Sequence, residues 1–278
     1  MSGILYIVGT PIGNLSDITE RQLFTLETVD FIAAEDTRVT RKLLTHFDLH
    51  KELVSYHEHS TESVIGKIID RLVNGESCAV VTDAGMPCIS DPGSVLVQRC
   101  LAEGIQMQVV PGPSAVISAL AVSGQDTGRF CFEGFLSVNK KQRAEHLASL
   151  RSESRTMVFY EAPHKLLRTL QDMLAVFGDR SLTVCRELTK LHEEITKTTL
   201  SAAAAYYSDN APRGEFVLVL AGMPANECTQ AVSLESAVEL AKKLIAEGGR
   251  SADVCKQIAA DTGISKRLIY QALINDDE

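Results

Sequence analysis

Short apolar runs alternate with amphipathic stretches through the first 115 residues. Residues 4–8, 29–34, 53–56, 78–82 and 106–110 read as buried strands. Residues 20–28, 38–46, 62–74 and 93–103 read as helices. In the third of these helices Val64, Ile65, Ile68, Ile69 and Leu72 fall on one stripe at the helical period. Residues 114–122 predict a further helix that closes this unit. Such alternation implies a mostly parallel sheet with helices on both faces.

After Ser123-Gly124-Gln125-Asp126 the pattern changes. Strands are expected at 130–135, 155–160, 182–186 and 216–221, with helices at 140–150 and 164–177. Residues 222–226 read as a linker, and 234–278 hold three helices. Within them Ile258 to Tyr270 matches a helix-turn-helix spacing, with Gly263 at the turn and Ser265 capping the next helix. A plain three-helix packing module fits the same pattern. The fold class is therefore α/β, with two α/β domains over 1–122 and 123–225 and a small helical module over 226–278.

Stiff residues gather where the strands end. Pro11, Pro87, Pro92, Pro111 and Pro113 all follow strands of the first domain, interspersed with Gly9, Gly13, Gly85, Gly93 and Gly112. In open α/β sheets ligands bind outside the carboxyl ends of strands. Three rigid loops on one such edge are what a preformed pocket requires. Asp83, at the end of 78–82, puts a carboxylate there; a capping aspartate in an ordinary turn is the competing reading.

Composition narrows the class. A chain of 278 residues with 45% apolar content has room for two cores, and no Trp with 5% aromatic content points to aliphatic packing. Met-Ser-Gly and the short run that follows lack the basic segment and length of a signal peptide, and no apolar run reaches the ~20 residues needed to span a bilayer. Seven cysteines with no Cys-x-x-Cys pair argue for reduced thiols in a cytoplasmic protein. A net charge of −9 counts against a simple electrostatic nucleic-acid binder. Basic residues nevertheless cluster locally: Arg38, Arg41 and Lys42; Arg129, Lys140, Lys141 and Arg143; Lys266 and Arg267. Solvated helix faces account for such groups equally well. There is no Gly-x-Gly turn, no phosphate-binding Gly-x-x-x-x-Gly-Lys and no Gly-x-Ser-x-Gly elbow. His57-Glu-His59 could look like a metal pair, but a shared ion there is not expected.

What remains is a set of motifs: Thr10-Pro-Ile-Gly-Asn-Leu15, Ala34-Glu-Asp-Thr-Arg38, Ser55-Tyr-His-Glu-His59, Thr82-Asp-Ala-Gly-Met-Pro87 and Ser90-Asp-Pro-Gly93, then Pro111-Gly-Pro-Ser-Ala115, Tyr160-Glu-Ala-Pro-His164 and Arg186-Glu-Leu-Thr-Lys190. Together and in order, over about 220 residues, they resemble the bacterial small-subunit ribosomal RNA methyltransferase I family, which is similar in fold to the tetrapyrrole (class III) methylases. Met86 and Thr82 depart from that family's usual Thr and Ser.

The resemblance implies S-adenosylmethionine as methyl donor, bound between the two domains, and transfer to the ribose 2′-hydroxyl of a cytidine in 16S rRNA near the decoding site. It implies a homodimer acting on 16S rRNA or the small ribosomal subunit, with no metal and no membrane. On that reading Pro11, Ile12, Asp83, Met86, Ser114, Ala115, Tyr160 and Glu161 contact the donor. Glu35 and Asp36 are the candidate catalytic carboxylates, with Lys190 and His192 weaker candidates. Arg38, Arg41, Lys42 and Lys190 face RNA. Two alternatives remain: a class III methylase of a tetrapyrrole or other small molecule, and a non-enzymatic RNA-binding protein that uses the terminal helices.

Overall fold

A computed structural model of the chain describes residues 2–224, 234–246, 249–262 and 264–275. The first layer is a five-stranded sheet of β1 (Ile4–Val8), β2 (Phe31–Ala34), β3 (Glu52–Ser55), β4 (Cys78–Val81) and β5 (Gln106–Val110), in the order β3-β2-β4-β1-β5. Every pairing is parallel. β2 and β4 are buried along their whole length, which is why they read as unbroken apolar runs. One face packs around Phe31, Ile68, Leu72 and Leu96, the other around Leu26, Ile32 and Val81. Parallel pairing has one consequence for function: every strand delivers its following loop to the same edge.

The helices are α1 (Glu20–Thr28), α2 (Thr37–His46), α3 (Glu62–Val73), α4 (Ser94–Ala102) and α5 (Ala115–Ser123). Thr19 and Gln22 close a capping box at the start of α1, and Asp36 caps α2 through the Arg38 N–H. α5, expected to close the first domain, packs on the second sheet instead. Val116, Ala119 and Leu120 share a core with Val158, Cys185, Val217 and Val219. Its nearly uniform apolar sequence carries no stripe to say which sheet it would cover.

The second sheet holds β6 (Phe130–Phe135), β7 (Thr156–Glu161), β8 (Ser181–Arg186), β9 (Glu194–Thr199) and β10 (Phe216–Leu220), in the order β6-β7-β10-β8-β9. Only β6 and β7 run parallel. α6 (Lys140–Ser149), α7 (Leu166–Phe177) and α8 (Leu200–Asp209) contribute Leu147, Leu166, Leu170 and Leu200 to the core on its other face. β9 and α8 are additions to the sequence reading. β9 is an edge strand that is largely exposed and mostly polar, so it shows no burial pattern, and α8 is an alanine-rich run with a weak stripe.

The helices Leu234–Ala246, Ser251–Thr262 and Lys266–Asn275 enclose a core of their own around Val238, Ile258, Ile269 and Leu273. Ser265 caps the last helix as expected, accepting the Leu268 N–H at 3.2 Å. Part of the linker expected at 222–226, and the turn residue Gly263, lie outside the described residues. Among the described residues no helix is long and apolar enough to cross a membrane.

Candidate active site

At the shared strand edge the loops are stitched to one another. Thr10 and Gly85 exchange backbone hydrogen bonds at 2.9 and 3.1 Å, and the Thr10 hydroxyl donates to the Thr82 carbonyl at 3.1 Å. Gln22, fully buried, donates to the Gly9 carbonyl at 2.6 Å. The Gly112 N–H points at the Met86 sulfur, 3.3 Å away. Proline and glycine thus set loops that are then cross-linked into one wall.

Facing that wall across a cavity of about 520 Å³ are residues of the second sheet. Ile12, Met86, Ser114 and Ala115 come from one side, Tyr160 and Glu161 from the other. Six of the eight residues expected at a donor site therefore line one cavity. Its size suits a small-molecule ligand. The walls are largely apolar, and the first turn of α5 adds backbone N–H groups; Ser114 caps that helix without a side-chain hydrogen bond.

The other two sit elsewhere. Pro11 and Asp83 line a separate hollow of about 270 Å³, together with Thr10, Leu15, Lys42 and Thr82. Glu161 lines the cavity, yet its carboxylate is committed to the Ala162 N–H at 2.8 Å and the Thr169 hydroxyl at 2.5 Å.

Carboxylates crowd the ends of β2 and β4. The Asp83 N–H donates to Glu35 at 3.3 Å and the Asp36 N–H to Asp83 at 3.2 Å. Burial pushes the Glu35 carboxyl above its ordinary range, and the charges of Asp83, Asp91 and Asp36 push it the same way against the Asp83 N–H. Asp83 and Asp91 are raised too, each chiefly by desolvation. Asp36 behaves oppositely: Arg38 grips it through Nε and Nη2 and holds it down at about 2. The sequence reading did not single out Asp91 as a functional residue. Its charge reaches Glu35, Asp83 and also Tyr160, which burial raises to about 12, so it links the acidic edge to the cavity. The rigid Ser90-Asp-Pro-Gly93 segment was the signal that could have found it.

The basic residues expected at an RNA face divide in the same way. Arg38 is 86% exposed but paired with Asp36. Arg41 and Lys42 stand exposed on α2 beside it. Lys190 is shared between Glu187 at 2.9 Å and Glu215 at 3.0 Å, with its stem over Gly13.

Comparison with known proteins agrees with this architecture. Residues 4–204 match the family model for tetrapyrrole (corrin/porphyrin) methylases. A Synechocystis sp. protein called ribosomal RNA small subunit methyltransferase I is 46% identical over 270 residues, covering 97% of this chain and 96% of that protein. A Thermotoga maritima protein of the same name is 49% identical over 220 residues, covering 79% of this chain but 99% of its own length. Among solved structures, a diphthine synthase superposes with a TM-score of 0.62 at 14% identity, over 79% of this chain and 90% of that one.

Proposed function

The chain belongs to the tetrapyrrole methylase family and groups within it with the proteins called ribosomal RNA small subunit methyltransferase I; from that premise we propose that it transfers a methyl group from S-adenosylmethionine to small-subunit rRNA, at the ribose 2′-hydroxyl of a cytidine near the decoding site. The observation that carries the reading is the inter-domain cavity walled by cross-linked strand-end loops. The donor supplies an electrophilic methyl on a sulfonium. Ile12, Met86 and Ala115 enclose its apolar parts, and the first turn of α5 receives its carboxylate. Rigid walls make the displacement effectively unimolecular, a gain of up to ~7–11 kcal/mol when reacting atoms are aligned. Glu35, raised and accepting the Asp83 N–H, takes the hydroxyl proton; Asp36, held by Arg38, is too weak a base. The protein works in the cytoplasm as a homodimer. Ribose-methylation mapping of 16S rRNA from cells lacking the protein should show one 2′-O-methylcytidine lost. An unchanged map overturns the assignment.

Arg41 and Lys42 contact the rRNA backbone in this reading. Replacing both with Ala should weaken binding of the rRNA and flatten the dependence of log K on log salt by about 1–2 phosphate contacts. An unaltered slope removes α2 from the RNA face.

The terminal helices assist docking and take no part in transfer. They have their own core, and the Thermotoga maritima relative is matched almost end to end by about four-fifths of this chain. A chain ending at residue 224 should bind donor with unchanged affinity and keep kcat, with a raised KM for rRNA. Parallel losses of Tm and donor affinity would instead make the module a structural support of the cleft.

A further inference from the structure

β6 does not run regularly. Its pairing with β7 shifts between Phe132 and Gly134, and Gly134 takes a φ of 65°. In an unbroken strand Phe132 and Phe135, three positions apart, would face opposite sides of the sheet. The extra residue returns both to one face. Both rings then meet Tyr160 edge-on, with centroids 4.9 and 5.4 Å away. Phe132 packs into the core beneath α5. Phe135 stays 57% exposed at the lip of the cavity, where Ile89 is 69% exposed.

The lip is rigid and its surroundings are basic. Arg143, 5% exposed, donates Nε to Asp172 at 2.7 Å and Nη1 to the carbonyls of Ser137 at 3.1 Å and Val138 at 3.4 Å. A buried guanidinium thus fixes the backbone just after Phe135. Lys165 and Arg168 line the small hollow formed by the same segment, and Lys140 and Lys141 open α6. The ion pairs these cations make are long, Glu145 at 3.9 Å from Lys141 and Asp172 at 4.0 Å from Arg168.

We propose that Phe135 is the stacking platform for the acceptor nucleobase, and that Lys140, Lys141, Lys165 and Arg168 receive the phosphates flanking it. This rests on the rRNA methyl-transfer reading and gives it an acceptor face on the second domain. An exposed aromatic followed by a segment flanked by cations suits single-stranded RNA, whose bases stack while its backbone supplies negative charge. The donor's sulfonium and ammonium outweigh its single carboxylate, so four nearby cations do not favour it. A nucleotide whose 2′-hydroxyl must enter a cleft has to be unstacked, and an aromatic ring replaces the stacking it loses.

The test compares Phe135→Ala and Phe135→Trp with the wild type. Calorimetry measures donor affinity, binding of a small-subunit rRNA transcript is measured with S-adenosylhomocysteine in place of donor, and kcat and KM are taken for methyl transfer. The alanine variant should bind the transcript at least about fivefold more weakly, with raised KM and unchanged donor Kd; tryptophan should restore binding. Equal transcript binding by the alanine variant overturns the proposal. So does a parallel loss of donor affinity, which assigns the ring to the donor site. A wild type that binds the transcript through Phe135 but transfers no methyl sinks the transferase reading and leaves the platform standing. A wild type that does not bind it sinks both.

Discussion

Glu35→Gln should lower kcat at least about a hundredfold while leaving donor affinity unchanged, because a general base contributes roughly 10²–10⁴-fold and the cavity proposed for the donor does not include Glu35. Glutamine keeps an oxygen that accepts the Asp83 N–H, so the loop geometry survives the change. The pH dependence has a definite sign. A base must be ionised to act, and burial with three neighbouring carboxylates raises the Glu35 pKa. Activity should therefore fall toward acid pH at values above the ordinary carboxylate range. Asp91→Asn removes one of the repelling charges and should move that acid limb to lower pH. Stability follows the same linkage. A carboxyl whose folded pKa is raised contributes stability at pH below its unfolded value, and that contribution is lost as pH rises through the folded value. At pH 7 the crowded charge is a cost, so Glu35→Gln should raise Tm as it lowers turnover. Full activity in Glu35→Gln excludes it as the base. Abolished turnover in Asp91→Asn, in place of a shifted limb, transfers the role to Asp91.

The loop edge that walls the large cavity was legible in the sequence because proline and glycine mark where a backbone must turn, and parallel strands bring those turns together. Ile12, Met86, Ser114 and Ala115 reach one cavity for that reason. Side-chain direction within a loop has no such marker. Asp83 and Pro11 turn toward the smaller hollow although their neighbours Ala84 and Ile12 line the large one. Nor does strand periodicity reveal a bulge. Phe132 and Phe135 read as opposite faces until the register shift at Gly134 is seen. β9 escaped because an exposed polar edge strand has no inward side to alternate with. Lys190 read as a cation facing RNA, whereas Glu187, three residues before it, and Glu215, which only the folded chain brings close, both hold it.

Gly9→Ala should lose about 2–12 °C in Tm and most donor affinity together. A methyl at Gly9 would lie 2.8 Å from both the Cα and the N of Gly112 and 2.7 Å from the Met86 sulfur. Met86 can swing away, but the Gly112 backbone is fixed where β5 runs into the 111–114 loop, and Gln22 closes the knot from below through the Gly9 carbonyl. Overpacking of this kind costs ~1–3 kcal/mol, and each kcal/mol shifts Tm by about 2–4 °C in a domain of this size class. Any relief must separate the Gly9 loop from the 111–114 loop or displace Met86, and both belong to the cavity wall, so affinity falls with stability. Gly66→Ala is the control. Gly66 lies inside α3 with nothing within 4 Å of an added Cβ, and alanine there should stabilise by about 0.4–1 kcal/mol with donor binding unchanged. Thermal melts and calorimetric donor titrations on both variants decide the matter. If Gly9→Ala binds donor normally at a lowered Tm, the two loops are joined for stability alone and do not shape the donor site.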